Sequence, residues 1–276
     1  MLEHKYTQEE FLQKLLVLEK QNKELKQELN RVEKEKIEYL QNVSHQLVAP
    51  LNAIKWHIEN LTERRISPER AKKVLRSIYS QATIAVHLAK NFNLMSNLEA
   101  DQDLCRLKEP LQEINLKKLL VNLALDFQPL AWDKDITIIV VDDNFDPKCN
   151  VILAMLPLIS QVFSNIIENA VKYADSGSII KITGRYLSEI DSYGVSVSNK
   201  GIVIRPDDEN RVFERSFRTL EAKNRYPPGT GFGLYIAKKI VDIHGGRIQV
   251  SSKDGMVTFT VTLSVRGLEG KVKKRV

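Results

Sequence analysis

Three stretches of this chain bring together residue types suited to moving phosphorus. The first is Ser44-His45-Gln46-Leu47-Val48-Ala49-Pro50-Leu51. On a helix each residue turns by about 100°, so His45 lies roughly 200° from Val43 and faces solvent, with Ala49 one turn further along the same strip. A neutral imidazole keeps a free lone pair near pH 7 and can act as a nucleophile toward phosphorus. Exposure alone assigns no such role: His4, His57 and His87 read as ordinary surface residues.

The second stretch is Ser164-Asn165-Ile166-Ile167-Glu168-Asn169-Ala170-Val171-Lys172-Tyr173. Helical periodicity places Asn165, Asn169 and Lys172 on one face, and Ile159, Phe163, Ile166, Ile167 and Ala170 on the other. Amide oxygens can ligate Mg2+, which takes few protein groups and keeps phosphates and waters as its other ligands. Lys172 brings positive charge for phosphate oxygens. The same pattern also describes a plain amphipathic helix with a polar face.

The third is Gly229-Thr230-Gly231-Phe232-Gly233-Leu234, followed by an apolar helix from Tyr235 to Ile243. Glycines let backbone N–H groups approach a phosphate, and the start of a helix adds a favourable dipole. No strand leads directly into this turn, so it does not fit the dinucleotide-binding fingerprint. Arg205, Arg211, Arg215, Arg218, Lys223 and Arg225 precede it among Pro206, Pro227 and Pro228. That basic stretch reads either as a solvated loop or as a mobile lid over a nucleotide.

Elements must hold these stretches in place. Leu15, Leu18, Leu25, Leu29, Val32, Tyr39 and Val43 step by three and four, with Asn22 and Lys36 in the same register and charged flanks such as Glu24, Lys26, Glu33 and Lys34. This narrow seam predicts a parallel coiled coil over a lone amphipathic helix, and a polar Asn in the seam is a device that fixes dimer register. The stripe continues through Leu47, Leu51, Ile54, Ile58 and Leu61. Ser67-Pro68 reads as an N-cap and first helical residue, opening a second helix with Val74, Ile78, Ala82, Ala85, Leu88, Phe92, Met95 and Leu98 on its apolar face. Such a hairpin exposes a long apolar stripe, so two copies are expected to pair as a four-helix bundle. A polar linker is predicted from about Glu99 to Glu113. Beyond it, strand-like segments at 136–141, 179–183, 195–198, 247–251 and 256–263 alternate with helices at 157–173 and 233–244, a layered α/β pattern.

Bulk properties narrow the classes further. The net charge of +6 is spread among interleaved acids apart from the tail Lys271-Val272-Lys273-Lys274-Arg275, so it reads as solvated surface with some phosphate-handling residues and not as a nucleic-acid interface. Cys105 and Cys149 have no metal-like spacing, and reduced thiols fit a cytosolic compartment. No apolar run approaches the roughly 20 residues that span a bilayer, and the N-terminus lacks a signal-peptide core.

Taken in order, the segments from about Tyr39 to Ser264 resemble the sensor histidine kinases of two-component signalling, with five motifs coinciding. Ser44 to Leu51 looks like the H box, with His45 as the phospho-accepting histidine. The stretch holding Asn165, Asn169, Lys172 and Tyr173 looks like the N box, in which the family binds Mg2+ at the position of Asn169, contacts phosphate with Lys172 and packs Tyr173 near adenine. Ser198-Asn199-Lys200-Gly201-Ile202-Val203 resembles the first glycine box. Val212 to Arg218 resembles the F box, and Gly229, Thr230, Gly231, Gly233 and Leu234 fall in the second glycine box, with His244-Gly245-Gly246 as the turn that follows. The resemblance implies a multi-domain chain: an N-terminal all-α part, coiled coil plus helical hairpin forming a dimeric four-helix bundle, then a C-terminal α/β sandwich of the GHKL ATPase type.

The corresponding boundaries are a signalling coiled coil at 1–38, the dimerisation and phosphotransfer hairpin at 39–99, a linker at 100–113, the ATP-binding domain at 114–266 and a basic tail at 267–276. ATP and Mg2+ are the implied cofactors. A second copy of the chain and a response regulator receiver domain are the implied partners. The implied location is cytoplasmic, as a free chain or as the cytosolic part of a larger or membrane-tethered receptor.

The sequence also departs from the family. The acid that usually follows the phospho-accepting histidine is Gln46, which can orient the imidazole but not take its proton; a general base typically contributes about 10²- to 10⁴-fold. Ala49 stands where a polar residue orients hydrolytic water, which predicts weak phosphatase activity, and Val48 replaces a common arginine. Asn199 replaces the aspartate that accepts from the adenine amino group, although its carbonyl can still accept. Val203 replaces the last glycine of its box and is expected to stiffen the lid hinge or narrow the site. These departures keep open a degenerate dimeric scaffold that binds nucleotide without phosphotransfer, and, less well supported, a chaperone- or topoisomerase-like ATPase.

Overall fold

The structure is a computed structural model that describes residues 8–63, 67–99, 110–142, 145–146 and 150–266. Cys105, Cys149, His4, most of the predicted linker and the basic tail lie outside these residues. The chain divides into two units, Met1–His45 and Gln46–Val276.

Helix α1, Gln8–Glu63, contains the whole of the described part of the first unit. There Leu15, Leu18, Leu25, Leu29 and Val32 are all exposed in the single chain. Among the described residues no helix is long and apolar enough to cross a membrane.

The second unit opens on the remainder of α1 and on α2, Pro68–Glu99. Ser67 caps α2: its hydroxyl accepts from the Arg70 N–H at 3.4 Å and its carbonyl from Ala71 at 2.9 Å. The α/β part then runs β1 (Gln112–Asn115), α3 (Leu116–Trp132), β2 (Thr137–Val140), β3 (Val151–Ala154), α4 (Leu156–Tyr173), β4 (Ile179–Leu187), β5 (Ser192–Lys200), α5 (Leu220–Arg225), α6 (Gly233–Ile243), β6 (Arg247–Lys253) and β7 (Met256–Ser264).

The main sheet has the order β2-β4-β5-β7-β6, with β2 parallel to β4 and every other pair antiparallel. Alternation sends Ile180, Ile182, Val195, Val197, Ile248, Val250, Phe259 and Val261 to the core face, where they are buried. Against them lie Ile159, Phe163, Ile166 and Ile167 of α4, Ile236 and Ile240 of α6, and Leu120 and Phe127 of α3. Phe145 lies across Gly184 of β4, where any Cβ would collide with its ring, and stacks on Tyr193 at 6.2 Å. Only a bare backbone admits the ring there.

Four elements were not read from the sequence: β1, β3, α3 and the short α5. β1 pairs antiparallel with β3 in a separate two-stranded sheet, and β1 begins at Gln112, inside the stretch predicted as linker. α3 is capped by Asn115, whose side chain accepts from the Lys118 N–H at 2.9 Å. α3 carries Pro129 near its end, and the chain leaves it through Asp135 in a left-handed conformation.

Candidate nucleotide-binding site

α4 is buried on nearly all sides, so its polar residues are held by neighbours and not by water. Asn165 is 1% exposed. Its Nδ2 donates to the Gly233 carbonyl at 3.0 Å, while its Oδ1 accepts from Asn91 at 2.8 Å and from Gln161 at 3.2 Å. The amide expected to face a nucleotide is therefore committed to protein partners, and Asn165 positions the glycine turn. Asn169, one turn on, is half-buried with its side chain on the cleft.

Lys172 lies 2.9 Å from Glu168, and its ammonium sits over the Tyr226 ring at 5.2 Å. Burial works against its charge, but the Glu168 carboxylate outweighs that and holds the lysine above its ordinary range. The same pairing holds Glu168 low despite its own burial. Lys134 closes the C-terminal end of α4 by donating to the carbonyls of Val171 at 2.9 Å and Lys172 at 2.8 Å. Nothing in the local sequence around Lys134 marks it for that task.

A cleft of about 1010 Å3, open mouth included, is lined by Asn165, Asn169, Lys172, Tyr173, Asn199, Gly229, Thr230, Gly231, Gly233 and Leu234 together with Phe217 and Arg218. Gly201 lies just behind: its backbone crosses that of Tyr173 so closely that a Cβ would overlap the Tyr173 carbonyl oxygen. Ile202 and Ile204 line the cleft, whereas Val203 is 52% exposed and points elsewhere, so it does not narrow the site. Gly231 has φ +72°, and a Cβ there would sit 2.8 Å from the Ser216 carbonyl carbon. The turn leads straight into the N-terminus of α6, which presents positive dipole and unpaired N–H groups.

The basic stretch before this turn, read above as a loop or a lid, is folded and contains the short helix α5. α5 is capped by Thr219, which accepts from the Ala222 N–H at 3.2 Å. Arg218 turns inward and donates to the carbonyls of Pro227 at 2.9 Å, Gly229 at 3.1 Å and Ala222 at 3.0 Å, and also to Tyr226. One guanidinium thus gathers both ends of the lid. Of its neighbours, Arg205 pairs with Glu221 at 2.7 Å and Arg225 with Asp175 at 3.6 Å.

His45 is exposed on α1, as are Val48 and Ala49. In the second unit, Gln46 lines the cleft, as do Leu88 and Asn91 of α2. His87, read from sequence as a surface residue, is 6% exposed: α2 presses it onto α3 and α4, edge-on to Phe127 at 5.0 Å and 3.9 Å from Glu168. His244 is also buried. Its Nε2 accepts from the Met155 N–H at 3.3 Å, which leaves Nδ1 to donate to the Ile240 carbonyl at 2.8 Å. Only the neutral ring satisfies both.

The donor set suits a magnesium nucleotide. Asn169 offers one amide oxygen to the cleft, and Glu168 is engaged by Lys172. Among the described residues no three His, Cys, Asp or Glu side chains gather as a self-sufficient metal site. Mg2+ held mainly by phosphates and waters needs no more than this.

Residues 156–267 match the family described as histidine kinase-, DNA gyrase B-, and HSP90-like ATPase, which fixes the class of the second unit's α/β part. The histidine protein kinase SaeS of Staphylococcus epidermidis is 29% identical over 252 residues, covering 90% of this chain and 69% of that protein. Full-length ShkA in complex with AMPPNP superposes with a TM-score of 0.55 at 22% identity over 83% of this chain and 46% of that one. Histidine kinase ThkA in complex with response regulator protein TrrA gives 0.50 at 24% over 83% and 61%. Both structures share the fold. The α/β part is thus an ATPase domain of that family, and over most of its length the chain is similar to a histidine protein kinase.

Proposed function

We infer that the chain binds ATP–Mg2+ in this cleft and transfers the γ-phosphoryl group to His45, then to an aspartate on a response regulator receiver domain. The observation that carries the reading is the convergence of Asn169, Lys172, Asn199 and the Gly229–Gly233 turn on one cleft, in a chain whose α1 displays an exposed His45. Lys172 neutralises phosphate oxygens, Tyr173 and Asn199 meet the adenine, and the glycine turn wraps the phosphate chain. Asn169 would hold Mg2+, whose chemistry there would be to offset the charge on the phosphate oxygens.

In the transfer, the imidazole lone pair forms the N–P bond as the bond to the ADP oxygen breaks. ADP leaves with that electron pair, and the remaining ring proton passes to water because Gln46 cannot accept it. Ala49 leaves no side chain to orient hydrolytic water. The exposed apolar stripes of α1 (Leu15, Leu18, Leu25, Leu29, Leu51, Ile58) and α2 (Leu75, Tyr79, Val86) suit pairing with a second copy. The domain limits given above and a cytoplasmic location belong to the same reading.

Incubation with γ-labelled ATP tests it. Acid-labile, base-stable label that disappears in His45→Ala is the expected result. Nucleotide binding with no label would favour the degenerate scaffold, and steady ATP turnover with no phosphoprotein would favour a different ATPase of this fold.

A further inference from the structure

α2 meets α4 through polar groups that are almost wholly removed from water. Gln161 is 3% exposed, Asn165 1%, Glu168 5% and His87 6%. A directional chain of amides runs through this contact. Gln161 Nε2 donates to Asn91 Oδ1 at 2.9 Å, Asn91 Nδ2 donates to Asn165 Oδ1 at 2.8 Å, and Asn165 Nδ2 donates to the Gly233 carbonyl at 3.0 Å. Asn91 belongs to the helical hairpin and lies in none of the motifs that resemble the family's boxes. Its amide nevertheless stands two hydrogen bonds from the glycine turn, and its residue lines the same cleft.

We propose that Asn91 is a positioning residue for nucleotide binding: docked on α4, it fixes the rotamer of Asn165 and, through it, the first residue of α6. This rests on the cleft being the nucleotide site. The relay demands an amide at position 91, since one end must accept from Gln161 while the other donates to Asn165. A hydrocarbon there would leave the Asn165 oxygen to Gln161 alone, at the longer distance of 3.2 Å. Because the side chain that fixes Asn165 is supplied by α2, the cleft is best formed only when α2 is docked. Nucleotide affinity therefore reports docking of the hairpin.

The test is equilibrium titration of the whole chain with trinitrophenyl-ATP, a readout independent of phosphotransfer. Asn91→Ala should raise the dissociation constant roughly two- to tenfold, the reach of one neutral hydrogen bond. Asn91→Asp keeps the acceptor but sets a carboxylate against Asn165 Oδ1, so it should weaken binding at least as much. Asn93→Ala removes an exposed amide of the same helix, paired with Asn97 at 2.9 Å, and should change nothing. The decisive measurement is the double mutant: if Asn91 acts through Asn165, then Asn91→Ala adds no further loss to Asn165→Ala. Should Asn91→Ala fail to fold, Asn91→Ser takes its place, because a hydroxyl is too short to span both partners. Unchanged affinity in the single variant, or additive losses in the double, overturns the proposal. Failure of the unsubstituted chain to bind the probe overturns the nucleotide-site reading itself, and the inference with it.

Discussion

Asn165 Nδ2 lies 3.0 Å from the carbonyl oxygen of Gly233, so the amide-bearing helix α4 is tied by a side chain to the first residue of α6. Asn165→Asp removes that donor and sets a carboxylate against a carbonyl inside the protein. The replacement should lower unfolding free energy by about 1–3 kcal/mol. Urea denaturation measures it, and a variant as stable as the parent would contradict the bond.

Gln46 is half-buried on the cleft and cannot take a proton. Gln46→Glu restores a base beside His45 in sequence. Initial rates of label incorporation should rise by about 10²- to 10³-fold, the lower part of what general bases contribute. A rate unchanged or lower would mean that proton removal does not limit the transfer.

Gly231 combines a positive φ with a close crossing of the Ser216 backbone. Gly231→Ala must both strain the turn, at about 1–3 kcal/mol, and push the Ser216 backbone away. Isothermal titration with an ATP analogue should show affinity lost by an order of magnitude or more, since about 1.4 kcal/mol corresponds to tenfold. Near-native affinity would place the phosphates elsewhere.

Arg218 donates to carbonyls at both ends of the segment from Thr219 to Gly229. Arg218→Ala leaves those carbonyls without their shared donor, and the lid should open more often. Tryptic cleavage after Lys223 and Arg225 should accelerate several-fold while cleavage at other sites stays constant. Equal rates would show that the lid holds together without the guanidinium.

His87 and His244 both titrate below their ordinary value of 6.5 because burial disfavours the charged ring, in His87 against the pull of Glu168 and with that of Lys90 and Lys172, in His244 against the Ile240 carbonyl. The unfolded chain therefore takes up protons more readily than the folded one. Their contribution to stability is complete above about pH 6.5 and declines as pH falls through that value toward the folded pKa values, by at most about 1.4 kcal/mol per pH unit for each ring. Urea midpoints between about pH 7.5 and 5.5 should fall accordingly. His244→Gln should flatten part of the slope, and an unaltered slope would assign it to other groups.

Much of this molecule is legible in its sequence where a period is long or a turn is chemically marked. The alternating strands β4 to β7, the amphipathic α4 and the glycine entry to α6 all carry such signals. β1 and β3 do not: four residues each give an alternation too short to register, and they are stabilised by each other across the 35 residues between Asn115 and Val151. Asn165, Asn169 and Lys172 do share a helical face and all line the cleft, yet helical spacing cannot tell that the Asn165 amide is also bonded to Gly233 and Asn91. His87 and Lys134 escaped because their roles are set by other segments: His87 by α3 and α4, Lys134 by the end of α4. Arg218 looked like one more cation in a basic run, and only its reach to four carbonyls separates it from its neighbours.

The outer face of the main sheet is paved with hydroxyls. Ser196 bonds Thr260 across β5 and β7, Ser198 bonds Thr258 in the next rung, and Lys181, Arg185, Gln249 and Ser251 extend the wet surface to either side. Each rung is already satisfied by its cross-strand neighbour, so these hydroxyls present water with a polar face whose side-chain hydrogen bonds are largely made within the sheet. Crowding many such chains together should therefore not make them clump through these hydroxyl rungs, in contrast to the bare leucines that α1 turns to water.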